Sequence, residues 1–159
     1  METIAVVLRQ PEQIELNRLA LTPPTADDVV VDVDWSGVST GTERLLWSGR
    51  MPPFPGMGYP LVPGYESVGR VVEEGTATGL HPGQRVFVPG AKCFGEVRGL
   101  FGASASRLVA TAKRVVPLDQ NLGERGILLA LAATAYHAIA AQGAQAPDCI
   151  VGHGVLGRL

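Results

Sequence analysis

Three glycines near the end of the chain have the spacing that phosphate chemistry needs. Gly152-His153-Gly154-Val155-Leu156-Gly157 directly follows a short apolar run, Asp148-Cys149-Ile150-Val151. In a strand–turn–helix unit the first glycine makes the sharp turn and the second lets the backbone approach a pyrophosphate. The third lets the helix pack close to its strand. The spacing by itself is a weak signal, and its place after a strand-like run strengthens it. A plain glycine-rich turn is the other reading of the same residues. Gly152, Gly154 and Gly157 are therefore the candidate cofactor-binding residues.

Other chemistry-bearing groups are sparse. The two cysteines, Cys93 and Cys149, are far apart and form no C-x-x-C pair. Free, buried thiols are expected rather than a disulfide. His137 is chemically attractive because imidazole titrates near neutral pH, but it falls in an apolar helical stretch, where a satisfied core histidine is expected. Trp47, Met51, Phe54, Met57 and Tyr59 crowd into one proline-rich segment. Flat aromatic faces and adaptable thioethers suit a large flat ligand, and they also suit a loop closing onto its own domain.

The elements that must hold these groups are mostly strands. Ile4 to Leu8 is β-branched and apolar, and Gln13 to Leu19 alternates. Val29 to Val38 sets Val29, Val31, Val33 and Trp35 on one face against Asp32 and Asp34 on the other, the period of a half-buried strand. Glu66 to Glu74, Arg85 to Val88 and Ser106 to Ala110 complete the set, each bounded by glycine or proline. Short strands at this spacing predict a small barrel or sandwich. Thr42 to Trp47 reads as a short helix. Met51 to Gly64 holds five prolines and three glycines and reads as a long surface loop, a frequent home of function. From Leu122 to Gln142 the chain turns Ala- and Leu-rich, which favours a helix ended by Gly143. Apolar nearly all round, that helix should be buried between two layers.

The fold class expected is mainly β with some α. Residues 1–121 form the β domain, and residues 122–159 form a linking helix and the start of a truncated dinucleotide-binding domain. The chain of 159 residues stops two positions after Gly157, whereas a βαβ unit needs roughly 30 residues or more. A fragment is the expectation. Its apolar tail, with Asp148 to Val151 as an unpaired strand, should associate into a homo-oligomer, swap, or stay disordered.

Composition narrows the partners. Hydrophobic residues make up 46% of the chain, enough for a core, and the formal net charge is −2. No basic surplus points to nucleic acid. Gly126 to Ala141, the longest apolar run, is too short for a bilayer span. The first residues carry no charged leader before an apolar stretch. A cytoplasmic protein with no membrane span is expected.

The order of parts is similar to the medium-chain dehydrogenase/reductase superfamily, whose first domain is a GroES-like β fold. Three segments carry the resemblance. Thr42-Glu43-Arg44-Leu45-Leu46-Trp47-Ser48-Gly49 resembles the stretch after the catalytic cysteine of alcohol dehydrogenases. Gly64-Tyr65-Glu66-Ser67-Val68-Gly69-Arg70-Val71 resembles the G-H-E-x-x-G-x-V signature. Ala132-Ala133-Thr134-Ala135-Tyr136 resembles the segment just before the Rossmann strand. Together they span the whole chain in the right order. Within the superfamily, Gly37 to Glu43 with Pro63 to Glu66 most resembles the branch that dehydrogenates hydroxyethyl bacteriochlorophyllides.

The departures matter as much. The zinc enzymes of the superfamily hold their metal on a cysteine, a histidine and a third thiolate or carboxylate. Here those slots fall on Ser39 or Thr40, on Tyr65 and near Ala130. Hydroxyls and a methyl do not make a Cys/His-type zinc site. A structural zinc lobe needs four close cysteines, and only Cys93 lies in that region. No metal is expected.

The resemblance implies a tetrapyrrole substrate whose hydroxyethyl group is oxidised to acetyl, with hydride passing to NAD. Without zinc, a general base or hydroxyl relay must take the alcohol proton. Thr42 stands where the family places its relay hydroxyl; its other reading is a helix N-cap. Tyr65 replaces the histidine ligand and should face the substrate carbon, or else pack. Glu66 and Glu43 are carboxylates that either take the proton or bond to backbone and arginine. Thr134 matches a position near the nicotinamide. Trp47, Phe54, Met57 and Tyr59 are the candidate substrate-binding residues. Two alternatives stay open: a zinc-free quinone reductase-like oxidoreductase, and a non-catalytic GroES-like module that holds a macrocycle or a partner protein. NAD and NADP are not distinguished, because the discriminating acid would lie beyond Leu159.

Overall fold

The structure is a computed structural model, and it describes residues 1–140, 143, 145 and 147–159. Among the described residues, nine strands form two sheets. The first sheet has the order β2–β1–β4–β7, from Gln13–Ala20, Glu2–Gln10, Leu61–Val62 and Arg98–Gly99. The second has the order β8–β3–β5–β6–β9, from Arg107–Thr111, Asp28–Ser36, Ser67–Glu74, Arg85–Val88 and Val116–Pro117. The segment 103–106 stitches the sheets together. Ser104 O accepts from Val6 N, and Ser106 O accepts from Val33 N. The inner faces enclose one apolar core that includes Val29, Val31, Val71, Val86 and Leu108, all fully buried. The architecture is mainly β with few helices, as the pattern of short strands predicts.

The strand β3 departs from simple alternation. Val29, Val30 and Val31 are all buried, and the pairing with β5 shifts register between Val30 and Val31 and again between Val33 and Trp35. Each bulge inserts a residue and re-aims the next side chains. Trp35 is consequently 39% exposed, and the Arg85 guanidinium lies 5.1 Å from its ring centroid. Asp32 instead accepts a forked pair of bonds from Arg107, one of them 2.8 Å long.

A second, smaller core lies under the long loop. Leu8, Leu46, Leu61 and Leu100 are its buried members. Leu46 anchors α1, Thr42–Trp47, which spans the residues that the sequence assigns to it.

The C-terminal region differs most from expectation. The predicted helix is broken. A 3-10 segment, Gln120–Leu128, carries Gly123 at φ 55, and only then does α2 run, Leu129–Ala140. Its expected last residues, 141 and 142, lie outside the described residues. The helix is not buried between two layers: Tyr136 is 69% exposed, His137 is exposed, and no α2 residue is fully buried. An apolar helix is buried only where a second layer covers it, and among the described residues α2 meets α3 (Val155–Arg158) and the 3-10 segment. His137 is thus a surface group, not a core histidine. Residues Asp148–Val151 form no strand, because no described neighbour offers a ladder to pair with. Val151 is 96% exposed, and Cys149 is exposed too, so only Cys93 is a buried free thiol. Among the described residues, no helix is long and apolar enough to cross a membrane.

Candidate functional site

The start of α1 is built by a reciprocal pair of bonds. Ser39 Oγ accepts from Thr42 N at 3.2 Å, and Glu43 Oε2 accepts from Ser39 N at 2.9 Å. Both bonds satisfy backbone donors in the turn that leads into the helix, while the N-cap position itself, Gly41, has no side-chain cap bond. The Thr42 hydroxyl takes no part in either. That hydroxyl lies 3.4 Å from the phenol oxygen of Tyr65. Strong O–H···O bonds are about 2.7–2.8 Å long, so the two groups face one another across a slightly open gap.

Tyr65 is held from two sides. Gly64, at φ 92, makes the turn before it, and a Cβ there would collide with Ser104. Phe101 meets the Tyr65 ring edge-on, with centroids 5.7 Å apart and planes at 88°. Such an aromatic pair fixes ring orientation as well as burying area. Sequence reading missed Phe101; an aromatic side chain inside the glycine-rich stretch Gly95–Gly102 is the signal that marks it.

Glu66 stands at the entry to β5 and is only 6% exposed. Its Oε1 has no hydrogen-bond partner among the described residues. Burial pushes its carboxyl above the ordinary glutamate range, with the Tyr65 hydroxyl pulling partly the other way. Burial also raises Glu43; the backbone N–H groups of Glu43 and Ser39 oppose this, and the neighbouring Glu66 charge adds to it. Two carboxylates so placed resist being charged together.

Gly37 makes room for Glu66. Its N–H donates to Glu66 O at 2.8 Å, and a Cβ at position 37 would overlap Glu66 Oε2 and lie 3.0 Å from Glu66 Cβ. Gly37→Ala is expected to push the Glu66 carboxylate aside and to destabilise the domain by about 1–3 kcal/mol, the usual cost of overpacking a filled site. A circular-dichroism melt would check this.

A cavity of about 810 Å³ opens beside Glu66, and neither Thr42 nor Tyr65 lines it. Ser39, Thr40 and Glu66 line one side, Thr134 and Ile139 of α2 a second, and Gly152, Gly154 and Gly157 a third. The structure therefore brings the predicted glycine turn, Thr134 and Glu66 around one space. The Thr134 hydroxyl itself donates back to Ala130 O at 3.0 Å. The glycine turn lacks the strand that its spacing predicts before it, but its backbone is open. Gly152 sits at φ 101, and a Cβ on Gly152 or Gly154 would meet no atom within 4 Å, so the backbone is open to approach. A Cβ on Gly157 would lie 2.6 Å from Gly152 O, so only glycine lets α3 pass that close. These residues fit the phosphate end of a dinucleotide.

The proposed substrate residues lie elsewhere. Phe54, Met57 and Tyr59, with Met51, pack against the smaller core, and the Tyr59 hydroxyl donates to Leu46 O. None of them lines the cavity, and neither does Trp47, which is 43% exposed on a separate groove. Among the described residues, no three His, Cys, Asp or Glu side chains converge as a metal site.

The comparisons agree with this architecture. The alcohol dehydrogenase GroES-like domain family matches residues 25–120. The chain is 58% identical to 2-desacetyl-2-hydroxyethyl bacteriochlorophyllide A dehydrogenase of Rhodobacter capsulatus, covering all of this chain and 51% of that protein. It is 56% identical to the protein of the same name from Cereibacter sphaeroides, covering all of this chain and 52% of that one. The chain thus spans about half the length of these curated relatives. Among solved structures, 2R,3R-butanediol dehydrogenase of Bacillus subtilis superposes with a TM-score of 0.73 at 21% identity, covering 92% of this chain and 49% of that one, a likeness of fold. The chain belongs to the alcohol dehydrogenase GroES-like family, within the medium-chain dehydrogenase/reductases.

Proposed function

We propose that this chain is the substrate-side part of a zinc-independent dehydrogenase that oxidises the hydroxyethyl group of a bacteriochlorophyll precursor to acetyl, using NAD. The observation that carries it is the facing hydroxyl pair of Thr42 and Tyr65 next to buried Glu66, whose Oε1 has no hydrogen-bond partner among the described residues. The names of the two relatives point to the same substrate class.

Oxidising a secondary alcohol removes a proton from oxygen and a hydride from carbon. A bound nicotinamide supplies the hydride acceptor, and Gly152, Gly154 and Gly157 would hold its phosphates with Thr134 along the same wall. The rest falls to this chain's own side chains. The alcohol oxygen would sit against the Thr42–Tyr65 pair, accepting a hydrogen bond from the Thr42 hydroxyl and donating its own proton to the Tyr65 oxygen. As that proton reaches the Tyr65 oxygen, the phenol's own proton would pass to Glu66, whose burial makes it a stronger base than an ordinary glutamate. Phe101 keeps the phenol aimed while this happens. The slots that the family resemblance assigns to zinc fall on Ser39 or Thr40, on Tyr65 and near Ala130, a donor set that does not suit Zn²⁺. Residues 1–121 supply substrate and proton handling in this reading, and residues 122–159 begin the cofactor side.

The test is hydride transfer from the hydroxyethyl macrocycle to NAD by the full-length protein, followed by nicotinamide absorbance. Turnover is expected, and it should be unchanged after exhaustive dialysis against a chelator. Loss of turnover on chelation, restored by Zn²⁺, would overturn the metal-free mechanism. No turnover at all would overturn the substrate.

A further inference from the structure

We propose that the groove between the β1–β2 turn and α1 is an anion-recognising subsite that takes the carboxylate arm of the macrocycle. A groove of about 380 Å³ is lined by Glu12 from the turn and by Gly41, Arg44, Leu45, Trp47, Ser48 and Arg50. Gly41, Arg44, Leu45 and Ser48 recur at helical spacing and so share one face of α1. Leu46, fully buried in the smaller core, lies on the other side and pins the helix down.

The groove has the chemistry of a flat, acid-bearing ligand. Arg44 and Arg50 are exposed, and among the described residues neither guanidinium has an ion-pair or hydrogen-bond partner. A guanidinium offers a fork of donors that matches a carboxylate. Trp47 is 43% exposed and Leu45 38%, so an apolar surface lies beside the two cations. Glu12 contributes the groove's one carboxylate, held on the hairpin turn at φ 64 with its N–H bonded to Trp47 O. Two cations against one anion leave a net positive wall on a chain of net charge −2.

Its position relates it to the chemistry. Gly41 lines this groove and Thr40 lines the larger cavity, so the two spaces flank one turn. Thr42, the next residue, carries the hydroxyl that faces Tyr65. In this proposal a flat ligand spans the turn, with its hydroxyethyl group at Thr42 and another part of its rim at Arg44 or Arg50. A chlorophyllide-type macrocycle carries a free carboxylic acid on a flexible arm at that rim. Binding the acid here would orient the ring and select the acid over its esters. This inference rests on the macrocycle reading above.

The experiment compares the free-acid macrocycle with its methyl ester, for the wild type and Arg44→Ala/Arg50→Ala. Binding is read by absorbance shift and turnover by nicotinamide absorbance in the full-length protein, with a melt to confirm folding. The double variant should raise KM for the acid about fivefold, from two partly exposed ion pairs, and leave kcat and the ester's KM unchanged. Equal effects on acid and ester would overturn the subsite. A raised KM for NAD instead would assign the groove to the dinucleotide's phosphates and also overturn it. Preferential binding of the acid without turnover would uphold the subsite and sink the dehydrogenase reading. Turnover with no preference for the acid would do the reverse. Neither binding nor turnover would overturn both.

Discussion

Glu66→Gln is expected to cut kcat of the full-length protein by about 10²–10⁴, the usual worth of a positioned general base. The amide keeps the shape and the packing against Gly37 but cannot accept the proton. The pH profile gives the sharper readout. Glu66 must be ionised to act, and burial raises its pKa, so the wild-type rate should rise with pH through that raised value. The variant's residual rate should lose this acid limb. A structural carboxylate would leave the limb in place.

The same residue makes a stability prediction of opposite sign. A raised folded pKa means that the folded state holds the proton more tightly than the unfolded chain. Stability is therefore greatest while the carboxyl is protonated. It is lost as pH climbs from the ordinary value of 4.5 through the folded pKa, and is flat above it. Burying a charged Oε1 without a partner is unfavourable. Glu66→Gln removes that charge, so the variant should be more stable than the wild type at pH 8, by about 1–3 kcal/mol. Near pH 4 the two should converge. Denaturant melts at both pH values would show it. A variant less stable at pH 8 would mean that the carboxylate is favourably paired, contrary to its role as a free base.

Much of this site was legible in the residues because local rules fixed it. Thr42–Trp47 is short, flanked by glycine, and helical as read. Gly152 adopts the left-handed backbone that its place in the motif requires. Tyr65 and Glu66 sit together because a glycine turn runs straight into a strand. The failures share one cause: they depend on what covers a segment. Alternation along β3 put Val29, Val31 and Val33 on the core side but missed Val30 and misplaced Trp35, because bulges in the pairing with β5 re-aim the chain. Gly123 broke a helix that composition read as continuous. Phe54, Met57 and Tyr59 have the chemistry of a ligand surface, but a four-leucine core invisible to local pattern takes up their apolar faces. Phe101 escaped notice because its partner, Tyr65, lies far away in sequence.

Tyr65→Phe should lower kcat by about 10–100-fold, the loss expected when one hydrogen bond to a group of developing charge is removed. The ring and its edge contact with Phe101 survive the change, so stability should hardly move. Thr42→Val should cost a similar factor, and the bonds that Ser39 and Glu43 make at the helix start do not use its hydroxyl. The informative quantity is the double variant. If the two hydroxyls grip one alcohol oxygen and form a single proton path, removing the second costs little once the first is gone. The pair then shows a strong positive coupling in a double-mutant cycle. Independent packing roles predict multiplicative losses instead. The present separation of 3.4 Å supports the first outcome, since it is long for a direct bond and leaves each hydroxyl free to turn toward a third oxygen. Purely multiplicative losses, with KM raised and kcat held, would assign Tyr65 and Thr42 to binding and leave Glu66 without its relay.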